Sequence, residues 1–207
     1  DTAEQLMQNK PDSALYLLSN IPASKIKGKR DKARYALLKS IALDKNYVDT
    51  TSFEVIQPAI DYYLYSGNAD EKLRTLYYQG RIFQNQGADD EAMSCFMKAC
   101  DLKEVITDTL VLANAFVSEA MLYYKQYKLD EFIKCHIKAA ELYKAIGNIP
   151  YEIKSYTIAA DGYTMKNNKS TADSLIHICF PLVKKNKDSE SFLFNSILLY
   201  TLRFGTK

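Results

Sequence analysis

The sequence predicts an all-α protein made of antiparallel helix pairs that repeat about every forty residues. The chain of 207 residues contains 7 Gly, 5 Pro and no Trp, a composition that favours helices over a sheet with many turns. Small and large residues also recur forty positions apart. In the first helix of each pair the small site is Ser40, Gly80, Ala120 and Ala160, and the large site after it is Leu43, Phe83, Tyr123 and Tyr163.

The second helix of each pair shows the same spacing. Its sites are Ser52, Ala92, Phe132 and Ala172, then Ile56, Phe96, His136 and Ile176, then Ala59, Ala99, Ala139 and Cys179. Small residues allow two helices to approach closely, and large residues fill the gap that remains. We therefore expect about eleven helices in one array over residues 1–207, with the segment from Leu73 to Ala99 as its clearest pair.

Residues 1–22 predict a partial repeat at the N-terminal end of the array. A short helix is broken at Asn9-Lys10-Pro11, and a second helix begins with Pro11, a residue suited to the first helical turn. Ile21-Pro22 ends this helix, and a polar loop with five basic residues follows: Lys25, Lys27, Lys29, Arg30 and Lys32. The run fits a contact with phosphate or with an acidic partner. A solvated loop is the preferred interpretation, since no aromatic residue for base stacking lies between the cations.

The first complete pair is expected at residues 29–67. Its first helix extends from Lys29 to about Leu43, and an extended connection follows. Thr51-Ser52 has the side chains of a helix N-cap. The helix that it begins would contain Pro58, which should bend it, and Gly67 is expected to end it.

The remaining pairs are expected at residues 70–104, 108–147 and 150–185. Gly87 divides the first of them, and Asp89 or Asp90 is the expected cap of a helix that ends near Lys103. The acidic groups Asp89-Asp90-Glu91 and Asp130-Glu131 would be candidates for paired catalytic carboxylates. We favour a structural role, because each group lies where a helix begins and the helix dipole attracts negative charge.

A last helix is predicted at residues 188–204, and it is apolar nearly all round. Such a helix is expected to be buried. Either it is the first helix of a further or truncated repeat, which is the interpretation that we prefer, or it packs against another copy of the chain to form a homodimer.

These motifs resemble the tetratricopeptide repeat (TPR) family, in which a large, a small and an aromatic residue of one helix are followed by Ala, Phe and Ala in the next. The second pair matches this order with Leu76, Gly80, Phe83, Ala92, Phe96 and Ala99. The third pair matches with Phe116, Ala120, Tyr123, Phe132, His136 and Ala139, and the fourth with Tyr156, Ala160, Tyr163, Ala172, Ile176 and Cys179. The resemblance implies a right-handed α-solenoid, although the family period is about thirty-four residues.

The long, tyrosine-rich repeats, with DKNYVDTTS before a proline-containing helix, are also similar to bacterial envelope-associated TPR proteins. That similarity implies an exported or membrane-tethered sensor or assembly protein. No signal peptide is visible and residue 1 is Asp, so we expect a chain that is processed or part of a longer protein. We therefore prefer the bacterial envelope over the cytoplasm as its location.

The TPR resemblance implies that the first helix of each pair lines a concave groove that binds a protein or peptide. Projected onto this sequence, the groove residues are Arg34, Arg74, Tyr77, Arg81, Gln84, Asn114, Val117, Met121, Tyr124, Lys154, Thr157 and Asp161. We predict a basic lip and an apolar floor for an extended or helical peptide with acidic groups. The alternative is ordinary solvated helix surface. The clamp of Lys and Asn that binds chaperone tails is not reproduced, because its positions hold Leu37, Ile41, Ser118 and Ile158.

Other functional classes find little support in the sequence. The 27 Lys and Arg against 25 Asp and Glu leave a net charge of +2, which predicts no binding to nucleic acid. The longest apolar stretch is too short to span a bilayer. The two histidines, His136 and His177, and the four cysteines, Cys95, Cys100, Cys135 and Cys179, form no catalytic or metal-binding motif, so we predict no enzyme and no cofactor.

Two functions other than peptide binding in the groove remain open. In the first, the chain is a structural spacer or an oligomerisation arm that uses the apolar C-terminal helix. In the second, it is a regulatory input domain whose curvature changes when a partner binds.

Overall fold

The computed structural model describes residues 2–102 and 105–205, and these ranges are all-helical, without a strand. They contain eleven α-helices and two short 3₁₀ turns, at Ala23–Lys25 and Lys187–Ser189. The helices are α1 (Thr2–Leu6), α2 (Pro11–Ser19), α3 (Lys29–Lys45), α4 (Gln57–Ser66), α5 (Ala69–Gln86), α6 (Asp89–Cys100), α7 (Thr109–Lys125), α8 (Leu129–Ala145), α9 (Ile149–Met165), α10 (Lys169–Lys185) and α11 (Glu190–Phe204). The predicted all-α class is confirmed.

The helices begin at regular intervals along the chain. Helices α3, α5, α7 and α9 begin at Lys29, Ala69, Thr109 and Ile149, and α6, α8 and α10 begin at Asp89, Leu129 and Lys169. Each series advances by forty residues, which is the spacing of the small and large sites in the sequence.

The turns after α3, α5, α7 and α9 share a left-handed backbone conformation at one position. The φ angles are 57° at Tyr47, 75° at Gly87, 58° at Tyr127 and 61° at Asn167, again forty residues apart. Glycine adopts this conformation at little cost, and asparagine tolerates it. The two tyrosines are strained there, so the turn geometry is imposed by the helices that it joins.

Replacing Tyr127 with glycine should therefore stabilise the fold. Its side chain is 90% exposed, so little packing is lost, while relief of the left-handed strain exceeds the added entropy of the unfolded chain. We expect Tyr127→Gly to raise the free energy of unfolding by up to about 1 kcal/mol in urea titrations. The control Tyr65→Gly, at an 86% exposed residue inside α4, should lower it. A loss of stability in Tyr127→Gly would contradict the strain.

Contacts within the chain group into two compact units, one up to Thr107 and one from Asp108. In the first unit each helix from α1 to α6 contacts the next, and α3 also contacts α5. Its core contains Leu18, Ile56, Tyr63, Leu73 and Phe96, each 2% exposed or less.

The second unit is built in the same way. Each helix from α7 to α11 contacts the next, and α9 also contacts α11. Its core joins Ala120 of α7 to Ile153 and Ala160 of α9, Cys179 of α10 and Leu193 of α11.

The predicted start of α4 at Thr51-Ser52 is wrong. The helix begins at Gln57, and the Ser52 hydroxyl accepts only the Glu54 N–H at 3.2 Å, in a local turn. Pro58 consequently lies in the first turn of α4, where a proline removes no helical hydrogen bond, so the predicted bend has no cause.

The late start of α4 follows from contacts with α5. The side-chain amides of Asn85 and Gln86 donate to the carbonyl oxygens of Thr50 and Thr51 at 3.0 and 2.6 Å. These contacts hold residues 50 and 51 in an extended connection that runs beside the end of α5.

Most helix caps are polar, as their sequence suggests. Asn68 forms a capping box with Glu71 at the start of α5, and the side chains of Asp108, Asn148 and Asn168 cap α7, α9 and α10. The predicted cap of α6 is wrong, because the N-cap position is Ala88 and the acidic run lies in the first turn. Helix α6 ends at Cys100, before the predicted end at Lys103, which lies outside the described residues together with the end of that pair at 104.

The last helix is buried on one side within the described residues, and its burial against a further repeat or another copy stays a prediction. Leu193 and Ser196 of α11 are buried, but Phe194, Leu198 and Leu202 are 63%, 47% and 76% exposed. Their spacing of four residues places them on one stripe of the helix. Among the described helices, neither this one nor any other is long and apolar enough to cross a membrane.

Candidate functional site

The two N-terminal arginines of the predicted groove share one carboxylate of their own unit. Glu4 of α1 lies 2.8 Å from the Arg34 guanidinium of α3 and 3.7 Å from that of Arg74 on α5. The Arg34 and Glu4 side chains are about half exposed, so this bridge contributes little stability and exchanges readily with a stronger anion. The basic lip in this unit is therefore partly neutralised.

The third arginine is held more firmly. Arg81 Nε donates to Asp44 Oδ1 at 3.1 Å, and Arg81 Nη1 donates to Gln84 Oε1 at 2.9 Å. Burial is the largest single influence on Arg81 and lowers its pKa, but the charge and hydrogen bond of Asp44, together with Tyr77 and Asp49, outweigh it, so the pKa is raised. Arg81 and Gln84 thus act as a fixed pair that joins α5 to α3.

The structure places Tyr77 in the interior of the first unit, 7% exposed. Its ring centroid lies 4.9 Å from that of Tyr78 and 6.0 Å from that of Phe96. Tyr77 therefore packs under the surface instead of offering its ring to a ligand.

In the second unit the predicted residues of α7 share one stripe of the helix, which is half-buried at Asn114 and Val117 and exposed at Met121 and Tyr124. Asn114, Val117, Met121 and Tyr124 are spaced by three or four residues, and Met121 and Tyr124 are 48% and 44% exposed. Contacts with α8 hold two residues of the stripe in place. The Tyr143 hydroxyl donates to Asn114 Oδ1 at 2.6 Å, and the Tyr124 ring centroid lies 5.2 Å from that of Phe132. Large apolar side chains at such positions are candidates for contact with a partner.

The predicted residues of α9 are more varied. Lys154 is exposed, with Nζ 5.6 Å from the centroid of the Phe192 ring. Thr157 is 2% exposed and belongs to the interior. Asp161 Oδ1 accepts the Ser196 hydroxyl of α11 at 2.6 Å, and burial raises the pKa of Asp161 while this hydrogen bond opposes the shift.

Sequence reasoning missed Met165, which is 41% exposed on the same face of α9 as Lys154 and Asp161. The helical spacing could have found it, because Met165 lies one turn after the predicted residue Asp161 in α9. It also missed the carboxylates that engage the arginines, and no local signal relates Glu4 to residues thirty or more positions away.

The environment of His136 was also unforeseen. The imidazole is 1% exposed, and neither ring nitrogen has a hydrogen-bond partner among residues 2–102 and 105–205. Its ring meets that of Phe132 edge to face, with centroids 4.8 Å apart. Burial first, and the positive charge of Lys154 second, lower the pKa of His136 to about 4.

The remaining reactive groups of the described residues include the four cysteines, which form no disulfide within those residues. Burial raises the pKa of Cys95 to about 11 and those of Cys135 and Cys179 to about 12, so these three thiols are protonated at neutral pH. No group of three or more His, Cys, Asp or Glu within 2–102 and 105–205 could hold a metal ion.

No protein-family model matches the chain, and a search of curated proteins finds no match.

Proposed function

We propose that this chain is a non-catalytic interaction module whose helix pairs stack antiparallel within each unit, in the right-handed manner of a TPR solenoid. The regular helix starts, the left-handed residue shared by four turns and the contact of each helix with the next support this arrangement. A stacked array of this kind offers the faces of successive first helices to a partner.

The observation that carries the binding role is the exposed stripe on α7. Met121 and Tyr124 each leave almost half of their surface in water although the helix below them is tightly packed. A methionine adapts to the shape of a bound side chain, and a tyrosine adds a large contact area with one polar end. We infer a peptide with apolar anchors on this stripe and an acidic group toward Lys154, the exposed cation of α9.

The arginines of the first unit form a separate part of this proposal, which concerns that unit alone. A peptide carboxylate that approaches Arg34 or Arg74 must displace Glu4, and one that approaches Arg81 must compete with Asp44. They therefore add selectivity for acidic sequences more than affinity.

The test compares Met121→Glu/Tyr124→Glu with a matched control, Tyr65→Glu/Met97→Glu, which makes the same two changes at residues that are 86% and 41% exposed. Peptides selected from a random display library on the wild-type chain are synthesised and measured by fluorescence anisotropy. We expect the α7 variant to bind at least about tenfold more weakly, or about 1.4 kcal/mol, and the control to bind like the wild type. Equal affinity for both variants would contradict the site.

The exposed stripe of α11 supports a second candidate function, oligomerisation. Phe194, Leu198 and Leu202 form an apolar face with no covering within the described chain, and such a face is suited to self-association. Light scattering over a range of concentrations separates the two functions. A monomer at every concentration contradicts the oligomerisation arm and leaves the α7 stripe as the functional surface.

The proposed location in the bacterial envelope, and the role as input region of a longer protein, are supported by the sequence resemblance alone.

A further inference from the structure

The first unit carries a concentration of positive charge that the α7 site does not use. Residues 25–39 contain seven of the 27 Lys and Arg, at Lys25, Lys27, Lys29, Arg30, Lys32, Arg34 and Lys39, and one of the 25 Asp and Glu, Asp31. In the rest of the chain, Asp and Glu therefore outnumber Lys and Arg. Five of these cations are exposed and have no carboxylate partner among the described residues: Lys25, Lys27, Lys29, Arg30 and Lys32.

Two apolar clefts open beside these cations, and they share Ile26 and Tyr35. The first, of about 440 Å³, lies between α2 and the start of α3, with Leu18 and Leu38 among its walls and Lys25 at its edge. The second, of about 330 Å³, lies between α3 and the start of α4, with Val55 and Pro58 among its walls. Lys32 and Lys39 border this second cleft.

Tyr35 is the fixed ridge between the clefts. Lys39 Nζ donates to the Tyr35 hydroxyl at 3.2 Å from one helical turn further along α3. This bond, and the position of Tyr35 within the regular helix α3, keep both clefts open. Tyr35 and Lys39 lie on a different face of α3 from Leu37 and Ile41, two residues at predicted groove positions, so the surface meets that groove only at Arg34, which lines the first cleft.

We propose that these two clefts form a docking site for an acidic, amphipathic peptide, which inserts one large apolar side chain on each side of Tyr35 and sets its carboxylates against Lys25, Lys27 and Lys32. Charge complementarity selects this occupant. The exposed cations outnumber Asp31 and Glu54, the two carboxylates that line the clefts, so a basic segment is repelled. Concave clefts accept individual side chains, whereas insertion into a membrane requires apolar side chains that protrude. Leu18 and Leu38 are only 2% and 8% exposed. Base stacking is disfavoured, since Tyr35 is the single aromatic residue among those that line the two clefts.

The experiment selects a random 12-residue display library on the full chain, and the enriched clones are assayed against three variants. Lys25→Glu/Lys27→Glu/Lys32→Glu reverses the exposed charge. Ile26→Asp places a carboxylate where the two clefts meet, in a loop residue outside the helices. Lys98→Glu/Lys134→Glu/Lys184→Glu is the matched control, with three exposed lysines on other helices.

The expected clones are net acidic with at least two large apolar residues. They should bind at least tenfold more weakly to the first two variants, bind the control unchanged, and weaken as salt rises. Circular dichroism verifies that every variant is folded. Clones that bind Met121→Glu/Tyr124→Glu more weakly, and the cleft variants unchanged, bind at the α7 stripe. The experiment therefore distinguishes a failure of the cleft site from a failure of the α7 site.

Three results would overturn the proposal: no clone that distinguishes the charge-reversed variant from the control, enrichment of clones without acidic residues, or unchanged affinity in Ile26→Asp. Vesicles of phosphatidylcholine with one-fifth phosphatidylserine and a single-stranded oligouridine are tested in parallel. Binding of either probe that the charge reversal abolishes, in the absence of such peptide clones, would assign the surface to a membrane or to nucleic acid instead.

Discussion

Replacing Gly80 with alanine is expected to destabilise the first unit by about 1–3 kcal/mol, in the range of overpacked cores. In the interior of a helix the same change normally stabilises by up to about 1 kcal/mol, because glycine is the more flexible residue. At Gly80 an added Cβ would lie 2.6 Å from Phe96 Cε1 and 2.9 Å from Cζ. The Phe96 ring is fully buried, so it has little room to move away, and the sign of the usual effect reverses.

The rescue variant is suggested by the other repeats. In one helix pair Gly80 at the small site faces Phe96, and in a later pair the corresponding residues are Ala160 and Ile176. Where the small site holds alanine instead of glycine, its partner is therefore isoleucine, which is smaller than phenylalanine. The variant Gly80→Ala/Phe96→Ile places this alanine and isoleucine combination at positions 80 and 96. In a double-mutant cycle its free energy of unfolding should be at least about 1 kcal/mol higher than the sum of the two single changes predicts. Urea titration of the four proteins measures this coupling. Additive effects would show that the Gly80 to Phe96 contact does not limit the packing.

This contact was accessible from the sequence because it is a local, repeated pattern. Gly80 and Phe96 stand in one helix pair, and the same residue classes recur forty residues later, so the pattern specifies which helix faces meet. The same logic supplied the all-α class and most helix ends. It could not supply the strained turns, since Tyr47 and Tyr127 occupy a left-handed position where sequence reasoning expects Gly or Asn.

Contacts between distant segments of the chain could not be predicted from the sequence, for a different reason. The pairing of Glu4 with Arg34 and Arg74, and of Ser196 with Asp161, depends on which helices become neighbours and on where their long side chains turn. Residue type does not encode these choices. The late start of α4 likewise depends on amide donors of α5 that lie thirty-five positions along the chain. As a result the helix that carries each candidate residue was predictable, while the burial of Tyr77 and Thr157 and the charge available at the arginines were not.

The pH dependence of stability should be dominated by His136 between about pH 6.5 and pH 4. Its pKa falls from the ordinary value of 6.5 to about 4 in the folded chain, so below pH 6.5 the unfolded chain binds a proton that the folded chain does not. Stability is therefore complete above pH 6.5 and is lost as the pH falls, with about 2 kcal/mol gone by pH 5 and about 3 kcal/mol by pH 4. The cause is physical: protonation would place a charge among apolar side chains with no acceptor for either N–H.

The charges around the imidazole reinforce this direction. Lys154 of α9 opposes protonation, and the Glu119 carboxylate of α7 acts on Tyr123 and Cys135 rather than on His136. Burial raises the pKa values of Glu152 and Asp161, which acts in the opposite sense, because a folded chain that binds protons more readily gains stability in acid. The effect of His136 must therefore be measured as a difference between two proteins that share these carboxylates.

His136→Leu provides that difference, since the corresponding site of α10 holds Ile176, 4% exposed. Near pH 7.5 the variant should be as stable as the wild type or more so, because a buried imidazole without partners is replaced by an apolar group. The difference in free energy of unfolding between the two proteins, measured by urea titration, should widen by about 2 kcal/mol at pH 5. The control His177→Leu changes the other histidine, whose side chain is 65% exposed, and should keep the wild-type profile. Parallel pH profiles for wild type and His136→Leu would show that the imidazole gains a hydrogen-bond partner or solvent in the folded chain.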